Sequence, residues 1–500
     1  MLDQIGASIE KIFSYLEFEE IFELKYLCKS YKNLLYNSAG IITRLHSAIK
    51  LDQALVAKLL KTVAKGKGIA RLNLNEYDLS SQELLVLSNT LKSTQCKFDL
   101  VKLKLTKDSF LQLADELSLC CIKSLDIQKS YIFKDGAPVL AKMLFSCQLL
   151  SLNLESNLIS SQGAALLAKA IEHSNLQSLN LNENKIGDEG ATALAKVIPN
   201  SKLKSLILSR NEIGDTGLTE LSCAVSVSKL QVLNLFTNEI TAEGAKALSK
   251  ALLSKNLLKL DIGDNCIGKE GIKHFSSASS NLTTINLTNN NIQAQGVLYL
   301  SQFIANSLIQ TFKANQNSIG DGGVEILASV LPKTPVKNLY LSNNLISHKA
   351  IHPLAKNLPL MSILKLDLSY NQIGNQGIKI LASVLKLTTV EHLILENNDI
   401  GDEGASVLAL GIRNSRLNCL NLGSNHIGDK GAIALASNIK ESSILSIFLH
   451  YNLIRDDGAV AIAKVAYKLK FLNLTLNLIG NCGEAMLSRQ RKTPNLKLVF

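Results

Sequence analysis

Tryptophan is absent from this chain of 500 residues, while lysine, asparagine and isoleucine are plentiful, a balance that fits an AT-rich coding source. No block of five or more charged residues occurs. The 53 Lys+Arg and 42 Asp+Glu are spread along the chain, and the difference of +11 reads as solvated surface. A nucleic-acid partner is therefore not expected. No CxxC spacing occurs among the nine cysteines, and the number is odd. That argues against a disulfide frame or a zinc site and predicts buried thiols in a reducing, cytoplasmic setting. No apolar run approaches the length of a membrane span, and Asp3 and Glu10 fall inside any would-be signal peptide. Without a secretory route, the Asn-Leu-Thr sequons at Asn281, Asn286 and Asn473 are expected to stay idle.

Catalytic signatures are missing as well: there is no G-x-x-x-x-G-K-[ST], no H-E-x-x-H and no G-x-S-x-G. His348 and His352 are spaced i, i+4, but no further ligand type clusters beside them in sequence. Neither a metal, a cofactor nor an enzymatic activity is expected. The adjacent Cys120 and Cys121 read as two residues at a repeat boundary.

What the chain does have is a period. Hydrophobic residues make up 46% of it, enough for a large core. The pattern L-x-L-x-x-N-x-I starts at residues 152, 179, 206, 233 and 260, then at 285, 312, 339, 366, 393, 420, 447 and 472. Successive starts differ by 27 residues, except for two steps of 25 at 260→285 and 447→472. All thirteen copies carry the asparagine, from Asn157 to Asn477. Weaker copies at 72 and 125 place Tyr77 and Ser130 in the asparagine position. A degenerate copy lies between them, and the total is about sixteen repeats.

One repeat can be read chemically. The L-x-L alternation predicts a short strand with its leucines on one side. The asparagine amide is both donor and acceptor, so a column of them can satisfy backbone groups where each coil leaves its strand. Next come turns such as "GDEG" (187–190) and "GDKG" (428–431), whose Asp188 and equivalents are expected to cap the helix that follows. Ala191, Leu194, Ala195 and Ile198 then keep helical spacing.

A strand plus a full helix in 27 residues resembles the ribonuclease-inhibitor class of leucine-rich repeats, over roughly residues 69–500. The resemblance implies an α/β solenoid, with parallel strands inside and helices outside. Strands stack ~4.8 Å apart whereas helices need ~8–10 Å, so each repeat turns by roughly 20–25°. A horseshoe is expected, with strands lining a rigid concave face suited to holding a protein. Most residues expected there are small and polar: Asn153, Asn180, Asn234, Asp261, Asn286, Asp367, Asn421 and Asn473. Against them Phe236, Tyr340, Tyr370, Phe448, His450 and Tyr451 stand out as candidate binding anchors.

The front of the chain does not repeat. Residues 39–68 read as a helical linker that caps the first repeat. In residues 1–38, Ile9, Ile12, Phe13 and Leu16, then Ile21, Leu24, Leu27, Cys28 and Tyr31, mark two amphipathic helices. "IFSYL" at Ile12–Leu16, Glu20–Ile21 and "LCKSY" at Leu27–Tyr31 resemble the F-box. That family opens with Leu-Pro-x-Glu, where this chain has "QIGA", and has tryptophan where this chain has Tyr31. The resemblance implies docking to a Skp-type adaptor of cullin–RING ubiquitin ligases, while the repeats recruit an unknown target protein. An F-box followed by leucine-rich repeats is also similar to effectors that intracellular bacteria such as Legionella deliver into host cytoplasm. On that reading the chain is a monomeric adaptor with no membrane partner. The alternatives are a plain binding or decoy protein whose first helices only cap the solenoid, and a Ran-type GTPase activator, which uses the same repeat class.

Overall fold

Strands and helices alternate because hydrophobic periods of two and of 3.6 alternate along each repeat. The computed structural model describes residues 42–44, 70–74, 97–103, 105–119, 121–146, 148–493 and 495–500. The chain divides into two compact units, Met1–Leu233 and Asn234–Phe500.

In the first unit the strands Ser124–Asp126, Ser151–Asn153, Ser178–Asn180 and Ser205–Ile207 run parallel, with Leu125, Leu152, Leu179 and Leu206 in register. Helices such as Ser160–His173 and Gly187–Val197 follow them. A strand at Ile42–Arg44, paired in parallel with Arg71–Asn73, corrects the reading of 39–68 as helix alone. Its β-branched Ile42 and Thr43 favour extended backbone.

The second unit runs from Lys259–Asp261 to Lys497–Val499 in the same manner. Leu260, Ile285, Phe312, Leu339, Leu366, Leu393, Leu420, Ile447, Leu472 and Leu498 form one column. The two shorter repeats keep this register in different ways. In one, the helix Gly268–Lys273 has only 6 residues. In the other, two residues, Leu469 and Lys470, join the last helical turn to the next strand, where a full repeat has Met361–Leu364. In one repeat Leu366, Leu368, Ile373, Ile378, Leu381 and Leu385 are all buried. Each such side chain contributes about 1.5–3 kcal/mol relative to exposure. Among the described residues no helix is long and apolar enough to cross a membrane.

The asparagine column does what its chemistry predicts. Asn184 is fully buried. Its Oδ1 accepts from the amides of Asn157 and Ile159, both at 3.1 Å. Its Nδ2 donates to the carbonyls of Leu154 and Asn182 at 2.8 and 3.1 Å. Each amide thus joins its own turn to the turn before it. Ser130 takes the position in the weaker copy, where its Oγ accepts from Leu105 N at 2.9 Å.

The aspartates of the "GDxG" turns act differently from expectation. The start of helix Gly187–Val197 receives no side-chain cap. Asp188 Oδ1 instead accepts from Gly214 N, 2.7 Å away in the next repeat. Likewise Asp402 Oδ1 accepts from Gly428 N at 2.7 Å and Gly431 N at 2.8 Å. Asp429 holds Arg455 N and Gly458 N, and Asp456 holds Gly480 N and Gly483 N. Asn375 serves the same purpose for Gly401 and Gly404. These residues sit in the first turn of their own helices, beside the start of the neighbouring helix, so each supplies the acceptor that the next helix start lacks. Asp402→Ala is expected to cost about 1 kcal/mol in urea denaturation, the usual worth of a cap. Its exposed neighbour Glu403→Ala should cost close to nothing, and equal losses from the two would rule out the inter-repeat cap.

The cysteines also depart from expectation. Cys223, Cys266 and Cys482 are free and exposed, and Cys419 is free and half-buried. They occupy outward positions of helices, turns and strands, while the core positions are filled by leucine, isoleucine and alanine. Cys28, Cys96, Cys120 and Cys147 lie outside the described residues.

Candidate partner-binding face

On the strand face of the second unit, the residue before the first leucine of L-x-L, the residue between the two leucines and the residue after them stand clear of the core. Most of the polar residues between the leucines serve the backbone. Asn286 Oδ1 accepts from Thr288 N, Asp367 from Ser369 N, Asn421 from Gly423 N and Asn473 from Thr475 N, at 2.9–3.1 Å. Asp261 does the same for Gly263 at 3.1 Å. Burial pushes the Asp261 carboxyl above its ordinary range, opposed by the hydrogen bonds from Gly263 and Asn286 and by the charge of Lys313. These Asx turns send the chain out of each strand. The equivalent Asn153, Asn180 and Asn234 make the same turn in their own repeats.

The six candidate anchors occupy three kinds of position. Tyr340 and Phe448 lie within strands. Phe236 and His450 follow the second leucine. Tyr370 and Tyr451 stand one residue later, in turns with φ of 55° and 54°, and both are exposed. The turn before each buried asparagine demands left-handed backbone, and it lifts those two rings clear.

Tyr340 is half-buried between two lysines, with Lys313 Nζ 5.4 Å and Lys365 Nζ 5.0 Å from its ring centre. Such contacts are worth about 0.5–1 kcal/mol each when exposed. Phe236 lies apart, its ring against Gly263, where a Cβ would come within 2.8 Å of it. Phe448 packs on Phe471, ring centres 4.7 Å apart.

Glu396 draws the remaining candidates together. Tyr370 donates its hydroxyl to Glu396 Oε1 at 3.2 Å, and Asn421 Nδ2 donates to Oε2 at 2.9 Å. His450 Nε2 lies 3.5 Å from the same Oε1. The ring reaches it by lying over Gly423, where any Cβ would stand 2.2 Å from His450 Cε1. His450 Nδ1 is buried without a hydrogen-bond partner. The tautomer with its proton on Nε2, facing Glu396, is the one that leaves no buried N–H unpaired. The charge of Glu396, with burial second, pushes the Tyr370 phenol above its ordinary range, so it stays a donor. The ring of Tyr451 stands edge-on to His450, centres 6.3 Å apart.

Glu396, Phe471, Lys313 and Lys365 are missing from the sequence-based candidates, and Asn421 is among them only as part of the polar background. A spacing of 23–27 residues would have found them, since each falls about one repeat from a chosen aromatic or from Glu396. The F-box-like residues Ile9, Ile12, Phe13, Leu16, Ile21, Leu24, Leu27, Cys28 and Tyr31 lie outside the described residues. Among the described residues no group of three or more His, Cys, Asp or Glu is placed to hold a metal ion, His348 and His352 included. Cys419 is in register with His392 on this face. Burial raises its thiol above the ordinary value, against a smaller opposing effect of Lys365, which disfavours a nucleophilic thiolate.

Residues 172–195, 200–222, 228–249, 253–276, 278–301, 360–382, 386–409 and 413–436 each match the family profile described as leucine-rich repeat. These repeats are leucine-rich repeats. The solenoid fold of that class is what the strand and helix ladders of each unit display. No curated protein matches the chain in sequence. Among solved structures, a leucine-rich-repeat protein of Leptospira interrogans is 19% identical, covering 89% of this chain and 98% of that one, with a TM-score of 0.44. An internalin from Listeria monocytogenes is also 19% identical, over 71% and 87% of the two chains, with a TM-score of 0.37. The leucine-rich-repeat ectodomain of a plant membrane receptor kinase from Arabidopsis thaliana, in complex with Casparian strip integrity factor 2, is 18% identical. It covers 86% of this chain and 56% of that one, with a TM-score of 0.34. What leucine-rich-repeat proteins generally do is bind other proteins, and a rigid face carrying aromatic side chains is suited to that.

Proposed function

We propose that the chain is a non-enzymatic adaptor: the strand face of its second unit holds a target protein, and its first residues hold a Skp-type subunit of a cullin–RING ubiquitin ligase in a eukaryotic cytoplasm. The observation that carries the first half is the continuous set Tyr370, Glu396, Asn421 and His450, with Phe448 stacked on Phe471 beside it. Aromatic rings held by neighbours lose little freedom on binding, which is why such residues dominate interface energies. The second half rests on "IFSYL" and "LCKSY" in residues 12–31. A bacterial effector acting in a host cell would have use for both halves.

The test uses the full chain and a purified Skp-type adaptor in a direct binding measurement. Capture is expected, and the double change Ile12→Asp and Leu16→Asp should weaken it about tenfold or more while leaving the melting temperature unchanged. Failure of the wild-type chain to bind the adaptor sinks the ligase half. A second reading is favoured by the strand Ile42–Arg44, which carries the strand series toward the front of the chain. On that reading the first residues cap the solenoid, and the double change lowers the melting temperature instead.

A further inference from the structure

Glu396 has the imidazole of His450, 3.5 Å away, as its one basic neighbour within ion-pair distance among the described residues. Its side chain is 21% exposed, and its partners are a phenol, a carboxamide and an imidazole. Among the described residues no lysine or arginine pairs with it, although the chain as a whole has a charge of +11. Other acids have found cations: Asp135 has Lys107, Asp115 has Lys142, Glu403 has Lys379 and Glu441 has Arg413. On the same face Lys313 and Lys365 stand over the ring of Tyr340. A largely buried carboxylate without a cation is costly unless something supplies one.

The surroundings of Glu396 suit a planar cation. Tyr370, 49% exposed, hydrogen-bonds to it from one side, and His450 approaches from the other with Tyr451, 58% exposed, against its ring. Gly423, between them in sequence order, has no side chain, and the ring of His450 fills the space above it. A guanidinium can stack on a tyrosine face while donating to a carboxylate, whereas an ammonium offers no plane to stack.

Building on the reading of this face as a protein-binding surface, we infer that Glu396, with Tyr370 and Tyr451, receives an arginine side chain of the bound protein, so the partner presents a basic loop or strand to this face. The charge of Glu396 is then neutralised in the complex, and the two exposed rings become the walls of the arginine site.

The probes are fluorescein-labelled hexa-arginine and hexa-glutamate peptides, titrated into the full chain by anisotropy at physiological ionic strength. The net positive charge of the chain repels hexa-arginine, so its capture requires a local acidic site. Hexa-arginine should bind, and Glu396→Gln should weaken it about tenfold, the worth of one charge-assisted pair. Tyr451→Ala, at an exposed ring that makes no hydrogen bond to Glu396, should weaken it about threefold or more. Glu403→Gln, an exposed acid on a helix, should leave binding unchanged. Equal hexa-arginine affinity in wild type and Glu396→Gln overturns the inference, as does the absence of hexa-arginine binding. Tighter capture of hexa-glutamate, lost on replacing Lys313 and Lys365 by glutamine, also overturns it but preserves the face as a protein-binding surface. Adaptor capture by the first residues is read separately and is unaffected by any of these results.

Discussion

Asn344→Leu is expected to destabilise the chain by about 3–5 kcal/mol, because it strips hydrogen bonds from backbone groups with no access to water. Asn344 is fully buried. Its Oδ1 accepts from Asn317 N at 2.9 Å and Ile319 N at 3.3 Å, and its Nδ2 donates to Ala314 O at 2.8 Å and Ser342 O at 3.1 Å. Ser342 O keeps Gln316 N as a second donor. The amides of Asn317 and Ile319 and the carbonyl of Ala314 do not have that insurance. Each buried group left unpaired costs roughly 1–3 kcal/mol, and a leucine of similar size leaves no room for water. Asn338→Ala is the comparison: that half-buried side chain bonds only to Thr311 Oγ1, at 3.1 Å, and should cost under about 1 kcal/mol. Urea denaturation monitored by circular dichroism measures both. Repeats stabilise their neighbours, so the loss should appear as a broadened or split transition as well as a lower midpoint. If the two variants unfold alike, the asparagine column is not what joins the turns.

The asparagine column was legible in the sequence because its function follows from one residue type at one spacing. The strands, the helices and the buried leucines were legible for the same reason. The "GDxG" aspartates were assigned to the wrong helix because two helix starts compete for each carboxylate. Local sequence shows the start that Asp402 follows directly, while the one it caps, at Gly428 and Gly431, lies 26 and 29 residues on. The Glu396 set was half legible. Aromatic residues attract notice on a small polar background, but a glutamate among many surface glutamates does not. The contacts that give Glu396 meaning come from Tyr370, 26 residues before, and Asn421, 25 after. His450 reaches it across a whole intervening repeat, which is possible only because that repeat has Gly423 at the shared position. That glycine carries no sequence signal of its own.

Gly458→Ala and Gly322→Ala set helix propensity against this stacking. Both glycines lie in the first turn of a helix, Asp456–Val465 and Gly320–Val330, where propensity alone favours alanine by about 0.8–1 kcal/mol. At Gly322 an added Cβ meets only Ala294 Cβ, at 3.9 Å, so the substitution should stabilise by about 0.5–1 kcal/mol. At Gly458 the added Cβ would stand 2.7 Å from Asp429 Oδ1, 2.8 Å from Ile454 Cγ2 and 3.0 Å from Ala432 Cβ. Ala432 Cβ cannot rotate away. Asp429 is tied by its bonds to Arg455 N and to Gly458 N itself, both 2.8 Å, so moving it breaks the cap between repeats. Overpacking of this kind costs about 1–3 kcal/mol, and the lost cap adds about 1 kcal/mol, which together outweigh the gain in propensity. Gly458→Ala should therefore destabilise by about 2–3 kcal/mol, opposite in sign to Gly322→Ala. Paired urea titrations decide the matter. If Gly458→Ala stabilises, the fourth residue of the turn is glycine for some reason other than the close approach of the preceding aspartate. If it destabilises while Gly322→Ala does not, that glycine is the space into which one repeat's carboxylate fits to start the next repeat's helix.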